Sequence, residues 1–225
     1  MPTENRNELV LVPTPRELSI LAPRFAGTGI TLEVCGFGPI VAAARTTQLV
    51  DRMRPSAVFL IGIAGSLRDE VMIGSAWEFD AVGCYGIGVG EGELFQPASK
   101  LGYHQWDQDC PFGDVLDLSS PRRGARAIDN RPRTSHCLDD QRLLLTACSC
   151  SDSAADALRR LRWFPGAIAE DMEGFAVAAA CRLANVPLRI WRGISNRAGD
   201  RDKANWDIQG ALMAVADLFL QEIAR

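Results

Sequence analysis

Two places in the second half of the chain put polar groups where ordinary packing does not call for them. In EDMEGFAVAAA, residues 170–180, Glu173 follows the apolar-polar run AIAEDM and precedes a small-residue face of Gly174, Ala176, Ala178, Ala179 and Ala180. A carboxylate there can accept hydrogen bonds from hydroxyls or take up a proton. Further on, RIWRGISN, residues 189–196, closes a second apolar run with Arg192, Ser195 and Asn196. Two neighbouring strand ends would thus deliver a carboxylate, a guanidinium, a hydroxyl and an amide to one crevice. The same residues also fit a plain helix start and a surface salt bridge, and spacing alone leaves both readings open.

Three turns in the first half have matching chemistry. Thr14-Pro15-Arg16-Glu17 follows an apolar run ending at Pro13, so Glu17 stands at a strand-to-helix turn. Thr14 as N-cap, Pro15 at the first helical position and Glu17 three residues after the cap also make a capping box. Gly62-Ile63-Ala64-Gly65-Ser66 is small enough for backbone amides at Ala64 and Gly65 to reach a ligand, or simply to turn the chain. GFGPIVAAA, residues 36–44, has the first two glycines of a dinucleotide fingerprint, but Val41 replaces the third. A nicotinamide cofactor is therefore not expected, and the glycines serve a tight turn before a helix opened by Pro39.

The elements needed to position these residues can be read from hydrophobic period. Runs rich in Val, Ile and Leu at 8–13, 30–36, 57–64, 75–83, 143–148, 167–172 and 187–194 alternate with helical patterns at 15–26, 39–53, 153–163, 173–185 and 205–224. That alternation predicts an α/β fold with a central, mostly parallel twisted sheet flanked by helices. Such sheets bind ligands at the carboxyl ends of their strands, where the polar residues above fall. In the last helix Trp206, Ala211, Leu212, Val215, Leu218, Phe219 and Ile223 trace one face, which is read as core packing. Residues 103–136 carry no apolar period and are read as a long surface excursion, a lid or a subunit contact if ordered.

At 225 residues and 47% hydrophobic content the chain has enough apolar material for one continuous core, so a single domain over 1–225 is expected. The start MPTENRNE lacks the pattern of a secretory signal, and no apolar stretch is long enough to span a bilayer, so a cytoplasmic protein without membrane contact is expected. A net charge of -4 offers no pull toward nucleic acid, which leaves a small-molecule ligand as the better expectation. The cysteines, at 35, 84, 110, 137, 148, 150 and 181, are odd in number and scattered, which fits free thiols in a reducing compartment. Cys148 and Cys150 have no second pair or spaced His to complete a metal site, so no metal is expected.

LVLVPTPREL, GFGPIVAAA, LIGIAGSL, EDMEGFAVA and RGISNRAGDRDKANWDI together make the chain similar to the nucleoside phosphorylase and nucleosidase superfamily, over nearly its whole length. That resemblance implies a three-layer, nucleoside phosphorylase-like fold, a purine nucleoside substrate, no cofactor and a homo-oligomer. It implies that Met172 packs against the ribosyl ring, that Glu173 accepts from its 2′- and 3′-hydroxyls, and that Ser195 and Asn196 face the base. It implies further that Glu17 orients a water as general base and that Ala64 and Gly65 line the base or water side. Where relatives acting on adenine carry Asp, this chain has Asn196, an amide that can donate to N7 and O6 of a 6-oxopurine without first being protonated.

The phosphorylases' Gly-x-Pro-x-Arg turn is replaced by PTPRE, which favours water over phosphate as the nucleophile, and TACSCSDS holds no base-stacking aromatic. Arg201 and Asp202 in GDRD belong to the same resemblance, with a surface ion pair as the plainer account. The expectation is N-glycosidic hydrolysis of a 6-oxopurine nucleoside. Phosphorolysis, hydrolysis of a 5′-thioadenosine, or nucleoside binding without turnover are the alternatives.

Overall fold

The structure, a computed structural model, describes residues 7–118 and 142–224. The first strand shows why the sheet is central. In β1 (Glu8–Val12) Leu9 and Leu11 join one apolar cluster while Val10 and Val12 join another, so both faces are buried. The first cluster lies under α2 (Pro39–Met53) and α4 (Gly174–Leu183), the second under α1 (Pro15–Phe25) and α5 (Ile208–Ile223). Continuous apolar strands with helices on both faces are what a mostly parallel sheet requires.

β1 pairs in parallel with β2 (Leu32–Val34) and with β3 (Ala57–Ser66). β3 is the hub. Along its length it pairs in parallel with β11 (Leu188–Arg197), and at its carboxyl end Gly65 and Ser66 pair antiparallel with β10 (Ala167–Asp171). β10 runs parallel to β9 (Leu143–Ala147), and β9 to β5 (Ala81–Tyr85). Antiparallel strands complete the edges: β4 (Ala76–Phe79) on β11 and β8 (Val115–Asp117) on β5. A short hairpin, β6 (Gly88–Val89) with β7 (Gln96–Pro97), lies apart, and α3 (Ala154–Trp163) connects β9 to β10.

Three expectations need correcting. The apolar run 75–83 is two strands with different partners, divided at Asp80, whose carboxylate takes three hydrogen bonds from Arg142. Part of the supposed excursion is built in: Val115–Asp117 form an edge strand, Trp106 and Phe112 bridge, and Phe112 and Leu116 enter the main core cluster. Residues 119–136 lie outside the described residues. Trp206 precedes α5 instead of opening its buried face, because Asp207 is the N-cap, accepting from the Gly210 amide at 2.7 Å.

Among the described residues no helix is long and apolar enough to cross a membrane. The strand that carries Ser195 and Asn196 is held down by α5. Phe219, fully buried, makes edge contacts with Trp191 at 5.2 Å and Phe59 at 5.5 Å between ring centroids. We expect Phe219→Ala to cost about 3–5 kcal/mol, from lost burial plus a cavity that the sheet cannot close. Urea unfolding curves of the two proteins measure it, and Phe219→Leu should lose distinctly less.

Candidate active site

The carboxyl ends of β1, β3, β10 and β11 meet at a cavity of about 650 Å³. Glu17, Ala64, Gly65, Met172, Glu173, Ser195 and Asn196 all line it. Arg192 does not. It is fully buried behind the wall, where its Nε donates to Asp171 Oδ2 at 3.1 Å and its Nη2 lies 3.6 Å from Glu173 Oε2.

Glu173 reaches the cavity because other groups take over the helix start. Thr146 donates its hydroxyl to Asp171 Oδ1 and accepts from the Phe175 amide, while Asp171 Oδ2 accepts from the Gly174 amide. With the first amides of α4 satisfied, Glu173 makes no side-chain capping bond of its own. Its Oε1 instead accepts from the Gly38 amide at 3.0 Å. Gly38 has φ of 79°, so the GFGP turn presents that amide only because the residue is glycine. Burial, more than any other influence, pushes the Glu173 carboxyl up to about 7, against the opposing pull of Arg192 and with a smaller push from Asp171.

Glu17 is half of a capping arrangement and more besides. Its amide donates to Thr14 Oγ1 at 3.2 Å, but its carboxylate does not turn back to the Thr14 amide as a capping box would have it. Oε2 accepts the Thr14 hydroxyl at 2.6 Å and Oε1 accepts the Ile63 amide at 3.1 Å, across to β3. Arg192 Nη1 is a buried donor without a partner, and it sits with Glu17 Oε1 around the space that Gly62 leaves by having no side chain.

β11 shifts register against β3 between Ile194 and Asn196, a bulge that re-aims the strand end. Ser195 donates its hydroxyl to Asn196 Oδ1 at 2.8 Å, and Asn196 Nδ2 donates to the Arg197 carbonyl at 2.8 Å. The amide is thereby fixed with its NH₂ end still holding one proton to offer.

The loop after β9, Cys148 to Asp152, supplies another wall, without an aromatic ring. Glu170 holds it, accepting from the Ser151 amide and hydroxyl at 2.8 and 2.7 Å while Arg160 Nη1 pairs with the same carboxylate at 3.0 Å. Burial pushes the Cys150 thiol up to about 12, so it stays protonated. The aromatic rings at the cavity are Phe37 and Trp206, far from the stretch in which one was sought. Arg201 makes no ion pair with Asp202: its guanidinium lies over the Trp206 ring, 5.6 Å from the centroid, and Asp202 caps the short turn Lys203–Asn205. Thr146, Glu170 and Asp171 were missed in the sequence. The available signal was a polar residue near the end of each of two otherwise apolar runs.

A sheet whose strand ends gather carboxylates, an oriented amide and an open cavity is the arrangement of the nucleoside phosphorylase-like fold, and a family model described as Phosphorylase superfamily matches residues 3–225. The chain belongs to that superfamily. Among its relatives is a futalosine hydrolase of Streptomyces coelicolor, 34% identical over 84% of this chain and 76% of the relative. Solved structures of the same fold include a 5′-methylthioadenosine/S-adenosylhomocysteine nucleosidase of Colwellia psychrerythraea in complex with adenine, with TM-score 0.72, 16% identity and coverage of 96% of this chain and 94% of that one. A futalosine hydrolase of Helicobacter pylori superposes with TM-score 0.67, 15% identity and coverage of 96% and 97%.

The raised Glu173 carboxyl has a consequence for stability with a definite sign. Its folded value of about 7 lies above the ordinary 4.5, so the folded chain holds this proton more tightly than the unfolded one. The contribution is favourable at low pH, is lost as pH rises from about 4.5 to about 7, and is level above that. Glu173→Gln has no such proton. We expect its melting temperature, relative to the parent, to rise by a few degrees between pH 5 and pH 8, measured without ligand at both values. A difference that stays constant with pH would mean that folding does not change the proton affinity of Glu173 over this interval.

Proposed function

We propose that this chain hydrolyses the N-glycosidic bond of futalosine, releasing hypoxanthine and dehypoxanthine futalosine in the futalosine route to menaquinone. In this reading it works in the cytoplasm as a homo-oligomer, without cofactor or metal. The relatives support the substrate. The observation that carries the choice of base is the fixed Asn196 amide, which presents a donor where hypoxanthine, a 6-oxopurine, offers N7 and O6 as acceptors.

Cleavage moves the electron pair of the C1′–N9 bond onto the base. A hydrogen bond from Asn196 to N7 stabilises the leaving base as that pair arrives. The sugar carbon becomes cationic and adds a water oxygen; one water proton goes to Glu17 and the other stays on the new sugar hydroxyl, while the base anion takes its neutralising proton from solvent and Glu17 returns its own to solvent. Glu17 suits this task because the Thr14 hydroxyl and the Ile63 amide fix its carboxylate at the cavity wall. Glu173 accepts the ribosyl hydroxyls, and Met172 packs on the ring.

Purified protein with futalosine in phosphate-free buffer should release hypoxanthine at the same rate as with phosphate present. A phosphate requirement or a recovered sugar 1-phosphate overturns hydrolysis, and faster release of adenine from 5′-methylthioadenosine overturns the substrate.

Asn196→Asp should narrow or reverse the preference for a 6-oxopurine over its 6-amino analogue. An ionised Asp facing N7 and O6 repels them, whereas an exocyclic amine gives it a partner. Leaving a buried polar group unsatisfied costs about 1–3 kcal/mol, roughly a five- to hundredfold swing in relative kcat/KM. Measuring both substrates with both proteins across pH 5–8 decides it, since a ratio unchanged at every pH removes Asn196 from the base site.

A further inference from the structure

Of the acids that line the cavity, one has no part in the reaction described above. Glu17 takes the water proton and Glu173 the ribosyl hydroxyls, while Asp171 is committed to Thr146, Gly174 and Arg192. Asp152 is exposed and accepts the Ser153 hydroxyl at 2.7 Å. Glu170 remains, 2% exposed near the end of β10. A carboxylate offers about four acceptor positions on its two oxygens. Oε2 is filled by the Ser151 hydroxyl and Arg160 Nη1, but Oε1 takes only the Ser151 amide. One acceptor position is left over, on a buried group that lines the cavity.

The sheet register shows what that position lies opposite. Gly65 of β3 pairs with Glu170 on one side and with Asn196 on the other. Residues level with one another on neighbouring strands share a face, so the carboxylate and the amide flank a residue that has no side chain, their backbones roughly 9–10 Å apart by the strand spacing. A Cβ placed on Gly65 would stand 3.4 Å from Asn196 Nδ2, so the bare side of Gly65 opens onto the space beside the amide. N7 and N1 of a purine flank its C6 substituent. A base that gives N7 to Asn196 therefore turns N1 toward the opposite strand, where Glu170 stands.

We propose that Glu170 reads N1 of the base, its open Oε1 position accepting the N1–H of a 6-oxopurine, and so is a specificity-determining residue alongside Asn196. The assignment rests on the nucleosidase reading above and adds an atom of the base that Asn196 does not touch. In a 6-aminopurine N1 carries a lone pair and no hydrogen, so the same carboxylate repels it. Glu170 cannot turn aside, because Ser151 holds both of its oxygens and Arg160 holds one. A buried polar group left unanswered rejects the wrong ligand more strongly than an apolar wall does.

Free bases make the test independent of turnover. Calorimetry gives Kd for hypoxanthine, for adenine and for 1-methylhypoxanthine, which keeps N7 and O6 but has a methyl group in place of the N1 hydrogen; base release gives kcat/KM for the matching nucleosides. The unmodified protein should prefer hypoxanthine to both. Glu170→Gln keeps the size of the side chain, and since Arg160 can only donate, the Gln carbonyl turns to it and the NH₂ takes the place of Oε1. The steric cost of the methyl group stays while the N1–H contact is lost, so both ratios should fall about tenfold to hundredfold. Glu170→Asp keeps the charge opposite Arg160 but draws it back by one methylene; it should lower the ratios too, and it serves if Glu170→Gln does not fold. Ser151→Ala loosens the loop with the carboxylate in place and should weaken all three bases alike. A hypoxanthine to 1-methylhypoxanthine ratio near one in the unmodified protein, ratios unmoved in the Glu170 variants, or ratios moved as far by Ser151→Ala overturn the proposal. Failure of the nucleosidase reading is seen separately, as an absence of free base from every nucleoside while the Kd ratios still report on N1.

Discussion

Arg192 has no contact with water, and a charge so placed must be answered by the protein itself. Burial works against its charge, but Asp171, Glu173 and Glu17 more than offset that, and the guanidinium is held above its ordinary range. These three acids come from the end of β10, the start of α4 and the first turn of α1. One buried cation therefore ties together the elements that converge on the cavity. Removing one member of such a cluster leaves an uncompensated charge, typically worth about 3–5 kcal/mol, so the geometry of the acids and the stability of the fold are not separable quantities.

A division of labour among the acids follows from their partners. Asp171 has its oxygens committed to Thr146, Gly174 and Arg192, so it is a fixture of the scaffold. Glu173, two residues further on, is spared that work and keeps a carboxyl whose affinity for a proton lies near neutrality. Glu17 is bonded on one side to its own helix cap and on the other to β3. A group held from two elements cannot swing out of position when the cavity fills, which is what an oriented acceptor for water requires.

The alternation of strands and helices was legible in the sequence because both faces of β1 and β3 are buried and their apolar runs are unbroken. Glu173, Ser195 and Asn196 were legible as polar residues ending such runs. The burial of Arg192 was not: an arginine at a strand end looks the same whether it faces solvent or three carboxylates, and only the fold brings those carboxylates near. Trp206 was misread because an aromatic residue just before an apolar helical run looks like its first member, whereas the Asp207 cap just after it starts the helix later. Val115–Asp117 escaped notice for another reason, since a three-residue edge strand is too short to show a period. Asp80 hides in a similar way, as one polar residue where β4 gives over to β5.

The contrast between the floor and the rim of the cavity is itself a physical argument about function. At the floor every acid is buried and every acid is partnered, so the ligand meets groups whose positions were settled by folding. At the opening Arg16 and Arg201 are exposed, and the Arg201 guanidinium lies over the Trp206 ring. Chemistry on a glycosidic bond needs the first kind of environment, because charge develops there and reorganisation would raise the barrier. The bulge in β11 belongs to the first kind: beside it Ser195 holds the Asn196 amide by a direct hydrogen bond, so the direction of that donor is set by the backbone register and not by a ligand.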